Sequence, residues 1–286
     1  MNVSIALRAA TDALNEAGLT DGRRESASLL CFALDRPNAF LIAHPEYELT
    51  TDEAARLEEY IKRRAAREPF QHITGRQEFW GLDFEVSSAV LIPRPETEIL
   101  VEAAIATLQT SVHQRFCEIG VGSGCISVSI LHSVANAKAV GVDISPAALA
   151  IARCNAAKHR VDERLDLIQG SLFADIDTTF DLIVSNPPYI PDADIKVLQP
   201  EVRDFEPHTA LAGGPSGLDI VEEIIECAPK YLQTDGVMLV EIGSGQAAAV
   251  RKMLAPDIWD ETRFLLDLQG IERILHTRLK SHGRTK

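Results

Sequence analysis

Arg115-Phe116-Cys117-Glu118-Ile119-Gly120-Val121-Gly122-Ser123-Gly124 is a short, largely apolar run that breaks into three glycines at alternate positions. The run predicts a buried β-strand over 115–119, and the glycines predict a loop at its carboxyl end that opens a helix. Glycines spaced this way let backbone come close to a ligand, with the first helical N–H groups exposed behind them. A dinucleotide fingerprint needs its third glycine five residues after the first, and Cys125 stands there instead. The G-x-G-x-G spacing suits a cofactor without a pyrophosphate.

Outward from this loop, strands and helices alternate. Further strands are expected at 139–143, 165–168, 180–185, 237–242, 263–267 and 271–277, with helices in most of the gaps. The helix over 145–158 carries its own start signal, Ser145 as N-cap and Pro146 at the first helical position. Such alternation predicts an α/β fold, a seven-stranded and mostly parallel sheet covered on both faces. Only a short turn at Gln269-Gly270 separates the last two strands, which must therefore pair as an antiparallel hairpin. Ligands of such sheets bind beyond the carboxyl ends of the strands. Asp143 ends the second strand, 23 residues after Gly120. It is placed to accept the hydroxyl hydrogens of a ribose, since Ser145 already fills the alternative N-cap role. The third strand ends in Gln169-Gly170-Ser171-Leu172-Phe173, which should line a base pocket, with Leu172 or Phe173 against the base or in the core.

The fourth strand, Phe180 to Ser185, runs into Asn186-Pro187-Pro188-Tyr189. Asn186 offers a side-chain oxygen that can accept one N–H. Pro188 has no N–H, so the Pro187 carbonyl is free to face outward as a second acceptor, and X-Pro geometry keeps both residues extended. Tyr189 adds an aromatic face for a planar group. Together these make a clamp for an amide or aromatic amine.

Residues 1–75 read as an all-helical bundle. Apolar residues recur at helical spacing from Ile5 to Ala17 before Gly18, a second helix covers Glu25 to Leu34, and a third runs from Thr51 past Arg67 to Pro69. Residues 76–92 form a linker with a β-hairpin around Gly81, and 93–286 form the domain that carries the motifs.

The formal net charge is −14. That balance opposes a grip on duplex phosphates, so no stable nucleic-acid partner is expected. Cys31, Cys117, Cys125, Cys154 and Cys227 include no C-x-x-C pair, which suits free thiols in a reducing compartment. No stretch approaches the roughly 18 apolar residues of a membrane span, and the N-terminus shows no secretory signal. A cytoplasmic protein with no membrane partner and no metal is expected.

Three further stretches identify a family. They are Ile92-Pro93-Arg94-Pro95-Glu96-Thr97-Glu98, Asn186-Pro187-Pro188-Tyr189-Ile190-Pro191, and Phe205-Glu206-Pro207-His208 with Ala210-Leu211 through Gly217-Leu218-Asp219. Residues 95–280 resemble the class I S-adenosylmethionine-dependent methyltransferases. Nearly the whole chain resembles their HemK/PrmC-like branch, the glutamine-N5 methyltransferases of peptide chain release factors. The resemblance implies a Rossmann-like fold and S-adenosyl-L-methionine as cofactor, held by Gly120, Val121, Gly122, Ser123, Gly124, Asp143, Leu172 and Asn186. It implies Asn186, Pro187, Pro188 and Tyr189 as the catalytic motif. The implied partners are class I release factors, methylated on the glutamine of Gly-Gly-Gln and docked by the helical domain of a monomeric enzyme. Two positions depart from the family pattern: Ser171-Leu172 stand where an acidic residue and an aromatic are common, and Glu118 replaces the commoner Asp. Arg94, Glu96 and Glu98 have two readings, helix-start residues that complement the macrodipole or a border of the active site. The segment from Ala193 to Pro215 is long enough to form a lid, with Glu206 and His208 ordering it. Competing readings are methylation of a ribosomal-protein glutamine, methylation of the exocyclic amine of adenine in DNA or RNA, and a non-catalytic scaffold.

Overall fold

The computed structural model describes residues 1–281, so the last five residues of the expected motif-bearing domain, 282–286, lie outside the described residues. The chain divides into two compact units, Met1–Gly75 with Gln199–Phe205, and Arg76–Leu198 with Glu206–Lys286.

The first unit contains helices α1 (Val3–Glu16), α2 (Gly22–Leu34), α3 (Asn38–Ala43), α4 (Thr51–Ala65) and α5 (Phe70–Thr74). Helix α1 buries Val3, Ala6, Ala10 and Leu14, one stripe at helical spacing, and its first turn is capped by the Asn2 side chain, which accepts from the Ile5 N–H at 3.0 Å. Helix α4 opens on a reciprocal capping box: Thr50 Oγ1 accepts from the Glu53 N–H, and Glu53 Oε2 accepts from the Thr50 N–H. It stops at Ala65, short of the expected end, because Arg67 turns into the left-handed region with φ 72°. The short helices α3 and α5 go beyond what the sequence pattern announces.

Arg64, on the last turn of α4, is buried between two carboxylates. It pairs with Glu25 of α2 and, at 3.1 Å, with Glu201, which also takes Arg67 Nη2 at 2.9 Å. Through Glu201 the segment Gln199–Phe205, which the sequence reading assigned to the lid, is counted with the helices. Removing a partner from a buried ion pair leaves unpaired charge behind. Arg64→Met is therefore expected to destabilise the protein by about 3–5 kcal/mol, read as a lowered unfolding midpoint of the full chain in urea.

The second unit begins with the hairpin β1 (Arg76–Phe79) and β2 (Leu82–Glu85), turned at Trp80-Gly81. There follow α6 (Glu98–Thr110), β3 (Arg115–Ile119), α7 (Cys125–Ser133), β4 (Lys138–Asp143), α8 (Pro146–Lys158), β5 (Leu165–Gln169), β6 (Phe180–Ser185), the short helix α9 (Pro200–Phe205, counted with the first unit), α10 (Asp219–Cys227), β7 (Leu232–Glu241), α11 (Ala247–Met253), β8 (Trp259–Leu266) and β9 (Glu272–Leu279). The seven-stranded sheet has the order β5-β4-β3-β6-β7-β9-β8. Strands β3 to β7 run parallel, while β9 is antiparallel to both β7 and β8. This is a Rossmann-like sheet closed by an antiparallel hairpin.

Both faces of the central strands are buried, as a parallel sheet requires. Leu182 and Val184 join α6 and α7 in one core, and Ile183 points to the other with Met238, α10 and α11. Strand β7 starts five residues before the expected 237, because the ladder crosses the turn-like Thr234-Asp235-Gly236 as a register shift between Phe180↔Leu232 and Leu182↔Val237. Strand β8 likewise starts early, across an irregularity at Glu261 with φ 47°. Among the described residues no helix is long and apolar enough to cross a membrane.

Candidate active site

After β3 the chain moves outward to β4 and β5, then crosses back to β6 on the other side of β3. The crevice where strand order reverses is the standard ligand site of such sheets. Ile119 pairs with Ser185 in register, and Ser185 Oγ donates to the Ile119 carbonyl at 2.7 Å. The glycine loop and Asn186 thus leave the sheet side by side. A cavity of about 220 Å³ opens there, lined by Gly120 to Ser123, Asp143, Leu172, Asn186 and Pro188. A wider groove along α6 lies by Asp181 and Thr234–Val237, toward the amino-terminal ends of β6 and β7, away from the motifs.

The glycine loop is held by Asp143, whose Oδ2 accepts from the Gly122 N–H at 2.8 Å while Oδ1 accepts from the Ser145 N–H at 2.9 Å. Each oxygen keeps a second lone pair for a ribose hydroxyl. Gly120 has φ 76° and no atom within 4 Å of where a Cβ would stand, so its bare backbone faces the space a ligand needs. Gly124 does not line the cavity; it sits against Ala152 of α8. Glu118 is buried, and its Oε2 accepts from the N–H and hydroxyl of Ser127. Its Oε1 is buried without a partner, and Glu118 is among the residues that line the cavity. Burial pushes this carboxyl up to about 8, against the lowering effect of the Ser127 bonds. An orphaned carboxylate oxygen beside a glycine loop fits the ammonium group of S-adenosyl-L-methionine, and Asp143 fits its ribose.

For the base, Leu172 is present at φ 51° and Phe173 is turned into the core, stacked on Tyr231. The sequence reading missed Ile144. This side chain follows Asp143, remains about half exposed and lines the cavity. An apolar residue directly after the acidic strand end was the available signal.

The clamp residues separate into two groups. Asn186 and Pro188 line the cavity, whereas Pro187 and Tyr189 do not. Asn186 Nδ2 donates to Thr97 Oγ1 at 3.1 Å, which leaves Oδ1 as the end of the amide open to a ligand. Among the described residues no hydrogen bond reaches the Pro187 carbonyl. The Tyr189 hydroxyl donates to Glu241 Oε1 at 3.4 Å, and its carbonyl accepts from Gln246 Nε2 at 2.9 Å. Tyr189 is therefore anchored at both ends, and its largely buried phenol is pushed upward in pKa by desolvation and by the Glu241 charge.

The stretches around the clamp now have physical reasons. Arg94 lines the cavity and pairs with buried Glu206, whose Oε2 also accepts from the Ile92 N–H at 3.3 Å. Glu206 thereby orders the segment whose Pro207, Thr209 and Ala210 roof the cavity. Glu98 turns away, and its Oε1 accepts from the Trp80 N–H at 2.8 Å. At Gly213 a Cβ would stand 2.7 Å from the Pro188 carbonyl and 2.8 Å from that of Gly217. Backbone on both sides leaves no flexible neighbour to yield. Gly213→Ala is expected to displace the clamp and lower turnover about tenfold, the scale of a slightly misplaced reacting group, while the Kd for S-adenosyl-L-methionine by calorimetry moves far less. Burial pushes the Cys125 thiol up to about 12 and the Cys117 thiol further, so both are packing groups.

Comparison with known proteins gives the family. Residues 6–75 match the PrmC N-terminal domain, and residues 96–200 match the methyltransferase small domain. The chain is 44% identical over 268 residues to the release factor glutamine methyltransferase of Geobacter sulfurreducens, covering 93% of each. It is 42% identical to the protein of the same name from Koribacter versatilis, covering 91% of this chain and 92% of that one. With that of Cereibacter sphaeroides the identity is 40%, over 98% and 99%. Among solved structures, the catalytic domain of hMettl16 in complex with a MAT2A 3′UTR hairpin has a TM-score of 0.58 at 16% identity, covering 82% of this chain and 83% of that one. A methyltransferase from Pyrococcus furiosus has a TM-score of 0.52 at 18% identity, over 70% and 90%. These two likenesses concern the fold.

Proposed function

Because the chain belongs to the release factor glutamine methyltransferase family, we propose that it methylates the side-chain amide nitrogen of a release-factor glutamine, the one in the Gly-Gly-Gln motif of class I factors. S-adenosyl-L-methionine, when bound, supplies an electrophilic methyl group on a sulfonium sulfur. The chain's own residues have a different task, because an amide nitrogen is a poor nucleophile with its lone pair delocalised into the carbonyl.

The observation that carries the reading is the orientation of Asn186 at the switch point. With Nδ2 committed to Thr97, its Oδ1 accepts one N–H of the substrate amide; the Pro187 carbonyl, which no hydrogen bond reaches among the described residues although Pro187 stands outside the cavity lining, turns to accept the other. Two acceptors fix the plane of the amide and point the nitrogen lone pair at the methyl group, within the roughly 3–3.5 Å that in-line attack needs. Both bonds strengthen as the nitrogen becomes positive, and that difference between ground state and transition state speeds the transfer. The nitrogen gains the methyl and loses one proton to water, since an N-methylated, protonated amide is strongly acidic; no general base is needed. The helical unit serves to dock the release factor, and the enzyme acts as a cytoplasmic monomer.

Purified release factor, ribosomal protein and unmethylated DNA, offered in parallel with radiolabelled S-adenosyl-L-methionine, test this. Label is expected in the release factor alone. Label in DNA or in the ribosomal protein instead would reject the reading.

A further inference from the structure

The clamp works only one way round. A side-chain amide presents an acceptor at one end and a donor at the other, and the two ends are nearly equal in shape. If Asn186 turned over, its –NH2 would meet the substrate –NH2 and the clamp would repel what it must hold. Something in the protein must fix the orientation.

Thr97 sits where it can do so. It is buried at the start of α6, and its Oγ1 accepts from Asn186 Nδ2 at 3.1 Å. A hydroxyl has a single proton, so its direction decides whether it meets Asn186 as acceptor or as donor. Glu241, at the carboxyl end of β7, is close enough for its carboxyl to feel the Thr97 hydroxyl, although no hydrogen bond of ordinary geometry joins the two. Glu241 is 2% exposed, takes the Tyr189 hydroxyl on Oε1 and keeps Oε2 buried with no hydrogen-bond partner, an acceptor open to the Thr97 proton. An ionised Glu241 accepts only, which draws the Thr97 proton toward itself. Thr97 then has only lone pairs left for Asn186, and the amide must turn its nitrogen to Thr97 and its oxygen to the cavity. The same carboxylate holds Tyr189, so one buried acid fixes both ends of the motif.

We propose that Thr97 and Glu241 are positioning residues that set the orientation of the Asn186 amide, an inference that rests on the clamp reading given above. Thr97 borders the cavity and Glu241 does not, and both act on the substrate through Asn186. The groups that act electrostatically on Glu241 are Glu96 and Thr97 from the segment entering α6, Tyr189 after β6, Arg273 of β9 and Cys125 of α7, and Arg94 acts on Tyr189. Burial raises the Glu241 carboxyl to about 7, with Thr97, Tyr189 and Arg273 acting to lower it and Glu96 to raise it. When protonated, Glu241 can donate to Thr97, whose own proton then turns toward Asn186 and favours the inverted amide. Turnover therefore belongs to the ionised form and increases as pH rises through about 7.

The test uses Thr97→Val, Thr97→Ser, Glu241→Gln and the Thr97→Val/Glu241→Gln pair, with release factor and S-adenosyl-L-methionine, measuring kcat and KM separately. Thr97→Val is expected to lower kcat roughly 10- to 100-fold, the scale of a misplaced reacting group. Thr97→Ser keeps the hydroxyl and should stay within about threefold of the native kcat. The double variant should be no worse than Thr97→Val, because both substitutions break one line of contacts. The limb of kcat below pH about 7 should vanish in Glu241→Gln. Equal losses in Thr97→Ser and Thr97→Val, native kcat in Thr97→Val, or an unchanged acid limb in Glu241→Gln would overturn the proposal. Should Thr97→Val fail to fold, Thr97→Ser and the Glu241→Gln pH profile still decide it. An inactive Asn186→Ala beside a fully active Thr97→Val would sink the orientation proposal alone, whereas an active Asn186→Ala would sink the clamp itself.

Discussion

Asn186→Ala is expected to lower kcat/KM for release-factor methylation by about 10²–10³-fold, the range seen when one preorganised polar contact to a transition state is removed. The substitution takes away Oδ1, one of the two acceptors proposed for the substrate amide, and would leave the Pro187 carbonyl to hold that amide alone. Its remaining hydrogen is then free to swing, and the lone pair loses its aim. The hydrogen bond to Thr97 disappears as well, but Thr97 keeps Glu241 as neighbour, so the cavity wall retains its support. The loss should therefore appear in kcat far more than in the Kd for S-adenosyl-L-methionine, measured by calorimetry on the same preparation. An equal loss in both would mean that Asn186 serves the cofactor pocket rather than the substrate.

Asp143→Ala should give the reverse pattern. The carboxylate ties down the Gly122 and Ser145 N–H groups, and the lone pairs it has left are the ones proposed to take a ribose. Hydrogen bonds to a charged group contribute about 1.5–3 kcal/mol each, so losing the ribose contacts and loosening the loop is expected to weaken cofactor binding at least about 100-fold. Which protein is methylated should not change, because Asp143 ends β4, on the far side of β3 from Asn186. Calorimetric titration with S-adenosyl-L-methionine checks the first part, and competition between release factor and ribosomal protein checks the second. Unchanged affinity would remove Asp143 from the ribose contact.

The parts of this molecule that were legible in the sequence are those encoded within a few residues. Ser145-Pro146 starts α8, Gln269-Gly270 turns the last hairpin, and the apolar run 180–185 is a strand buried on both faces. Glycine spacing and Asn186-Pro187-Pro188-Tyr189 marked two strand ends, and the sheet order then set those ends side by side. What escaped the reading depends on contacts across long stretches of chain. Thr97 meets Asn186 across 89 residues, and Tyr189 meets Glu241 across 52. No local period signals that a threonine inside a helix-start motif will choose the orientation of an asparagine. Arg64 and Glu201 are 137 residues apart, and only the fold reveals that a short helix after the clamp belongs with the first unit. The expectation for Tyr189 as an aromatic face came from residue type alone, whereas its position is governed by Glu241 and Gln246.

The most direct measurement is a crystal structure of the protein with S-adenosylhomocysteine and a release-factor fragment carrying Gly-Gly-Gln. The account predicts both Asn186 Oδ1 and the Pro187 carbonyl oxygen within about 3.2 Å of the glutamine side-chain nitrogen, with that nitrogen directed at the cofactor sulfur. A Pro187 carbonyl turned into the protein, or an Asn186 amide presenting its nitrogen to the glutamine, would contradict it.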